Sequence, residues 1–255
     1  MNKQVKLRFY GSLNELLPAA KRDTEFTHIF TQQTAVKDLI ESVGIPHTEI
    51  DLIIIDNHAV RFSHRVTDGE HIRIYPAAGS TTLAAAANHQ PHCQPAVLQT
   101  PAFVLDVHLG KLARKLRMLG FDSLYQNNYK DARLAQISAT EKRILLSCDR
   151  QLLMRNQVRY GYFVRSRQPL QQVLEILSRY QLCDQLKPFS RCMDCNQPIV
   201  AVAKQTLEKQ LQADTQKYYD EFFQCTHCQK IYWQGSHYLK MKKAIAALCK
   251  TNSSL

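Results

Sequence analysis

No run of about 18 consecutive apolar residues occurs in this 255-residue chain, which excludes a membrane-spanning helix of the usual kind. The opening MNKQVKLRF lacks the apolar core of an export signal, so the chain reads as cytoplasmic, with no membrane partner. Charge of either sign is missing from residues 81–100. With Gly79-Ser80-Thr81-Thr82, an alanine run, Pro91 and Pro95 and no periodicity, residues 79–100 read as a linker. A hydrophobic content of 45% is ample for packed cores, and the length implies two or three domains.

What the chain has in excess is positive charge, net +11, and it is unevenly spread. Residues 1–80 hold 9 Lys/Arg against 10 Asp/Glu, whereas residues 101–180 hold 14 against 6 and residues 181–255 hold 10 against 6. Such a concentration attracts polyanions, nucleic acid first; a solvated basic face without a ligand is the plain alternative.

Residues 1–78 read as a small α+β roll. Val5, Leu7 and Phe9 alternate with polar residues in a strand over Gln4 to Tyr10, and Phe26 to Phe30 supplies a second. Thr34 is placed to cap a helix whose Val36, Leu39, Ile40 and Val43 share one face, ended by Gly44 and Pro46. Strands at Leu52 to Ile55 and Val60 to Phe62 flank the turn Asp56-Asn57, and Ile72 and Ile74 mark a last one. The order resembles the β-grasp of ubiquitin and of sulfur carriers. However, Pro76-Ala77-Ala78-Gly79 runs on into the chain without a terminal Gly-Gly, which argues against a carrier role. A protein partner for this domain is the remaining expectation.

From residue 101 the chain alternates short apolar strands, at Phe103 to Leu105, Ser123 to Tyr125, Ile144 to Ser147 and Tyr162 to Val164, with helical stretches. The first helix carries Leu109, Leu112, Ala113, Leu116 and Leu119 at helical spacing and stops at Gly120. The rhythm predicts an α/β domain with a parallel sheet over 101–185. Asp106 and Asp149 follow strands and Asp131 opens a helix. Taken singly, each is a helix cap; taken together, carboxylates at the carboxyl edge of a parallel sheet suit a hard divalent cation, Mg²⁺ or Mn²⁺, and phosphodiester cleavage. Lys111 and Arg114, near the start of the first helix, are placed for phosphate or for ordinary surface charge.

The stretch FVLDVHLGKLARKLRMLGFDSLYQNNYKDARLAQISATEKRILLSCDRQLL resembles the Mut-seven C-terminal RNase family, a branch of the PIN-like nucleases. The resemblance rests on D-x-x-L-G-K-L-A-R-x-L-R-x-L-G-x-D at Asp106 to Asp122, on Asp131, and on R-I-L-L-S-x-D-R at Arg143 to Arg150. It implies a metal-dependent RNase carried by Asp106, Asp131 and Asp149, with Arg150 joining Lys111 and Arg114 on the substrate, an N-terminal ubiquitin-like domain and a C-terminal zinc ribbon over 186–250. Where the family shows acids beside and before the second aspartate, this sequence has Ala132 and Asn128. A catalytically weak or inactive RNA-binding adaptor is therefore the second reading.

Cys192-x-x-Cys195 and Cys225-x-x-Cys228 are two knuckles whose four thiolates predict one structural zinc site, closed to substrate. His227 and His237 are not needed as ligands. Cys93, Cys148, Cys183 and Cys249 stand alone in the sequence. Beyond the knuckles Tyr232, Trp233 and Tyr238 alternate with Lys230, Lys240, Lys242 and Lys243, a pattern that suits stacking on unpaired bases or a small core; Trp233 is expected in the core and Tyr238 in either place.

Overall fold

The computed structural model describes residues 2–77, 93–95 and 100–252, so most of the linker expected over 79–100 lies outside the described residues. In chain order the N-terminal part contains β1 (Lys3–Phe9), β2 (Phe26–Phe30), α1 (Val36–Ser42), β3 (Ile50–Ile55), β4 (His58–Val60) and β5 (His71–Pro76). The middle contains β6 (Phe103–Leu105), α2 (Gly110–Met118), β7 (Ser123–Leu124), α3 (Asp131–Glu141), β8 (Ile144–Ser147), α4 (Arg150–Leu153), β9 (Gly161–Phe163) and α5 (Pro169–Tyr180). The last part contains β10 (Ile199–Val202), α6 (Lys204–Leu207), α7 (Ala213–Tyr218), β11 (Phe222–Cys225), β12 (Ile231–Trp233) and α8 (Ser236–Asn252). Packing groups these into two compact units that do not follow chain order: Met1–Thr100 with Lys130–Phe163, and Pro101–Tyr129 with Val164–Leu255.

In the first unit a five-stranded sheet runs in the order β2-β1-β5-β3-β4. β1 is antiparallel to β2 and parallel to β5, and β3 is antiparallel to both β4 and β5. The alternation of β1 does what its period of two requires, burying Val5, Leu7 and Phe9 against Val36, Leu39 and Ile40 of α1. Thr34 does not cap that helix: Ala35 occupies the N-cap, and the Thr34 hydroxyl turns to the Ala35 carbonyl. Asp56 and Asn57 both have positive φ, 45° and 70°, the backbone that a tight turn between β3 and β4 needs and that Asp and Asn tolerate. β3 is buried along its whole length because it has two covered faces, Ile50, Ile53 and Ile55 in the main core and Leu52 and Ile54 under Ala59 and Tyr75.

The chain segment Lys130–Phe163 belongs to the same unit. Its strands β8 and β9 are parallel, pairing Leu145 with Gly161 and Ser147 with Phe163, and α4 lies on the crossover between them. Thr48 packs on this pair so closely that a Cβ added to Gly161 would sit 3.1 Å from its methyl and 2.9 Å from Leu153 Cδ2. The Thr48 hydroxyl is fully buried there and has no hydrogen-bond partner among the described residues. Thr48→Val keeps the shape and removes the unsatisfied group, so urea denaturation of this variant is expected to show a gain of about 1 kcal/mol. Cys93 lies against the same core, its thiol facing the Val60 carbonyl at 3.7 Å. Burial, reinforced by the negative charge of Asp51, pushes this thiol up to about 12. A raised thiol stays protonated and non-nucleophilic through pH 8, so iodoacetamide at that pH should modify Cys93 at least about 100-fold more slowly than the exposed Cys148, as read by peptide mass spectrometry.

In the second unit β6 and β7 are parallel, with α2 as their connection. Leu112, Ala113 and Leu116 of α2 are buried, as are Val173, Ile176 and Leu177 of α5, the helix it packs on. Two glycines in α2 and its stop are dictated by contact. A Cβ on Gly110 would meet the Tyr125 hydroxyl at 2.7 Å and its ring at 2.8 Å, and Gly120, at φ +97°, lies directly against the Lys187 carbonyl. β10, β11 and β12 form a separate antiparallel sheet. α8 buries Tyr238, Met241 and Ile245, one stripe at helical spacing, and lies against α5. This packing brings Cys183, just after α5, to Cys249 near the end of α8, and the two are disulfide-bonded; the sequence treats them as solitary because they are 66 positions apart. Among the described residues no helix is long and apolar enough to cross a membrane.

Candidate zinc site and the nuclease-signature residues

The two cysteine knuckles are built alike. In each the residue after the second cysteine, Asn196 or Gln229, has positive φ, 67° and 60°. Its N–H donates to the carbonyl of the first cysteine, Cys192 at 3.0 Å and Cys225 at 3.2 Å. The N–H of each second cysteine donates to the sulfur of the first, at 3.4 Å in both knuckles. The result is a convergent set: Cys192 to Cys228 at 3.5 Å, Cys195 to Cys225 at 3.4 Å and Cys195 to Cys228 at 3.7 Å, with all four sulfurs within 4.8 Å of one another. Zinc-bound sulfurs about 2.3 Å from the ion stand about 3.8 Å apart in a tetrahedron, so the four residues fit that metal. Cys192 and Cys225 are buried and Cys228 is exposed, which places the site at the surface end of the β11–β12 turn.

The electrostatics favour a thiolate cluster that needs a cation. Burial opposes ionisation of Cys192, but the N–H groups of Cys195 and Asp194 and the Tyr232 hydroxyl, 3.0 Å from the sulfur, outweigh it and hold the thiol at about 6. Cys195 is pushed up to about 12 by burial and by its hydrogen bonds with Cys225, Cys192 and Cys228. One negative charge among four adjacent sulfurs suppresses the next unless a metal shares it. Tyr232 is itself raised, by burial and by its bond to Cys192.

Beneath the first knuckle lies Arg117, the last-turn arginine of α2, which is 4% exposed. Its Nε donates to the Ser123 carbonyl of β7 at 2.8 Å, and one terminal nitrogen donates to the Met193 and Asp194 carbonyls at 3.0 and 2.7 Å. Burial lowers its pKa, while Cys192, Cys195, Asp194 and Asp122 raise it again, and an arginine so placed keeps its charge. Asn196 completes the joint, accepting from the Ser123 N–H at 3.1 Å and donating to Asp122 at 2.8 Å. The helix of the nuclease signature and the cysteine turn are thus one hydrogen-bonded body.

Asp106 ends β6, is 5% exposed, and accepts the Val107 N–H at 2.6 Å as an N-cap. Tyr125, seated over Gly110, donates to the Val107 carbonyl at 2.9 Å and so steadies the residue beside it. Asp149 follows β8, is exposed, and accepts the Gln151 N–H at 2.8 Å, capping α4. Asp131 is the first residue of α3 without acting as its cap, and faces Arg155 at 3.8 Å. Asp106 belongs to the second unit, Asp131 and Asp149 to the first. Among the described residues the group of His, Cys, Asp or Glu side chains gathered at metal-ligand range is the four cysteines.

Of the three cations expected on substrate, Lys111 is exposed on the first turn of α2. Arg114 is exposed and pairs with Asp194 at 3.1 Å, sharing it with Lys230. Arg150 donates to the Leu16 and Gly44 carbonyls at 2.8 and 3.2 Å, bonds with which a phosphate would compete. Trp233 is 37% exposed, contrary to the expected core position, because it caps the sheet from outside against Phe222 and Tyr219; Tyr238 is buried against Phe189. Arg117 and Tyr232 escape sequence reasoning as partners of the cysteines. A signal exists for the first: Arg117 stands one turn after Ala113, a charge on the apolar face of an amphipathic helix.

Two outcomes check the site. The purified chain should carry one zinc per molecule by elemental analysis, and Cys225→Ser should remove it. Arg117→Met leaves three carbonyls without their donor and should cost about 3 kcal/mol while speeding zinc loss to a chelator, read with a colorimetric zinc dye.

The Mut7-C RNAse domain model matches residues 101–245, and the Mut7-C ubiquitin model matches residues 2–82. Among curated proteins and among solved structures no match to the chain is found. The first of these models covers more than half of the chain and takes in Asp106, Asp131, Asp149, Arg117 and all four knuckle cysteines, and this chain therefore belongs to the Mut7-C RNAse domain family, with a Mut7-C ubiquitin-like domain at its N-terminal end.

Proposed function

We propose that this protein is a metal-dependent ribonuclease acting in the cytoplasm, with a PIN-like catalytic domain followed by a zinc ribbon. The observation that carries the reading is the placement of Asp106, Asp131 and Asp149 at the end of β6, the start of α3 and the end of β8, all within the region matched by the RNAse domain model. Three carboxylates are a hard oxygen donor set that suits Mg²⁺ or Mn²⁺. Such an ion supplies a polarised phosphodiester, a hydroxide at neutral pH and charge relief on the leaving oxygen. Asp106, Asp131 and Asp149 would hold it; Asp106 and Asp149 are each fixed by a cap bond, from the N–H groups of Val107 and Gln151. Lys111 and Arg114 stand on the outer face of α2 to take phosphate oxygens, and Arg150 does so only by giving up carbonyl partners.

RNA as the substrate is supported by charge and by one ring. Residues 101–180 hold 14 Lys/Arg against 6 Asp/Glu, and α8 carries exposed Lys240, Lys242 and Lys243 with no acid along its length. Trp233 is the exposed aromatic of β12, open on one side to an unpaired base. The zinc is structural, since four thiolates leave no open position. A second reading, an RNA-binding adaptor without cleavage, is favoured by exposed Asn128 and Ala132 where the resembled family has acids.

Labelled single-stranded and structured RNA incubated with Mn²⁺, Mg²⁺ or chelator separates the two. Cleavage that needs the metal, and that falls by about 100-fold in Asp106→Asn and in Asp149→Asn, is the expected result. Binding without cleavage under every metal condition would establish the adaptor.

A further inference from the structure

Asp149 sits on the crossover from β8 to β9, and that crossover is held from outside at both ends by the ubiquitin-like domain. Next to Asp149, Arg150 sends one guanidinium nitrogen to Leu16 O at 2.8 Å and to Gly44 O at 3.2 Å, and its guanidinium lies 5.2 Å from the centre of the Phe163 ring. Leu16 ends a 3-10 turn, where a helix end leaves a carbonyl without an internal partner, and Gly44 directly follows the cap of α1. A guanidinium satisfies such groups and meets the negative end of the helix dipole.

The far end of the crossover is gripped by the turn His47–Glu49. His47 Nε2 is 2.7 Å from Val158 O while Nδ1 is 2.6 Å from Glu41, so the ring bridges the crossover to α1. The Glu49 carboxylate accepts the Phe163 N–H of β9 at 2.7 Å. Lys37 of α1 bonds Asn156 between these points. His47, Thr48 and Glu49 are all buried, and the facing Val158 and Leu153 are fully so. Buried polar side chains that are each given specific partners form a network that rigidifies the segments it joins.

We propose that the ubiquitin-like domain is the positioning element for Asp149: it sets where this carboxylate stands by clamping the β8–β9 crossover through Arg150 at one end and His47 and Glu49 at the other. The inference rests on the reading of Asp149 as a metal ligand. It gives the ubiquitin-like domain an intramolecular task, and makes Arg150 and Glu49 positioning residues that never touch the metal.

The test is Mn²⁺ binding to the full chain, followed by the electron paramagnetic resonance of the free ion and so independent of cleavage. Arg150→Ala and Glu49→Ala should each raise the half-saturating Mn²⁺ concentration about 10-fold, the scale for losing a residue that orients a metal ligand, and Arg150→Lys should raise it less. With Fe²⁺, hydrogen peroxide and ascorbate in place of Mn²⁺, radical scission of the chain beside residue 149 should fall in the same variants, while scission beside residue 106 persists. A merely stabilising contact would change neither readout in protein that remains folded by circular dichroism. Should either alanine variant unfold, Arg150→Lys and Glu49→Gln carry the comparison. Asp149→Asn losing Mn²⁺ while every clamp variant binds it within 2-fold of wild type would overturn the positioning role alone. Asp149→Asn binding Mn²⁺ as wild type does would overturn the nuclease site and the clamp together.

Discussion

The buried Arg117 guanidinium is the interaction on which the second unit depends. It reaches from the last turn of α2 to the β7 carbonyl on one side and to two carbonyls of the first cysteine knuckle on the other. A knuckle this small has little apolar surface of its own, and its carbonyls point inward because the N–H groups turn toward sulfur. Only a planar side chain with several donors can satisfy them at once and place a positive charge beside four sulfurs. A zinc tetrathiolate carries net negative charge, so the same residue that closes the hydrogen bonds would also offset the charge of the site with zinc bound.

The first unit meets a different constraint. β8 and β9 are short, and their crossover carries polar and charged residues that cannot be buried without partners. The ubiquitin-like domain supplies those partners from its helix ends and from one buried turn. A β-grasp sheet has only one helix across its face, and here Phe163 of β9 adds to the cover of its core. Chain order and packing order therefore diverge: Lys130–Phe163 is counted with residues far upstream, not with its sequence neighbours.

Cations serve two kinds of task in this molecule, and burial separates them. Arg117 and Arg150 are committed to carbonyls and hold elements together. Lys111, Lys240, Lys242 and Lys243 face water and carry exposed positive charge in the later part of the chain. Arg114 lies between, exposed but balanced by Asp194. The net charge thus overstates how many cations stand uncommitted on the surface.

Several features were legible in the sequence because they depend on spacing along one element. The period of β1, the apolar stripe of α2, the stop at Gly120, the Asp56-Asn57 turn and the two C-x-x-C knuckles are all local, and the structure places each where the residue pattern puts it. The two capping aspartates are equally local, which is why the sequence could offer both a structural and a chemical reading for each. The cap of α1, the exposure of Trp233, the Cys183–Cys249 bond and the partners of Arg117, Arg150 and Glu49 are of another kind. They were decided by which carbonyl, ring or sulfur from a distant segment arrives within about 3 to 6 Å, the range over which hydrogen bonds and ring contacts act. Sequence spacing carries no record of such arrivals, so the partners of a charged side chain emerge only when the tertiary fold brings it an acceptor or donor.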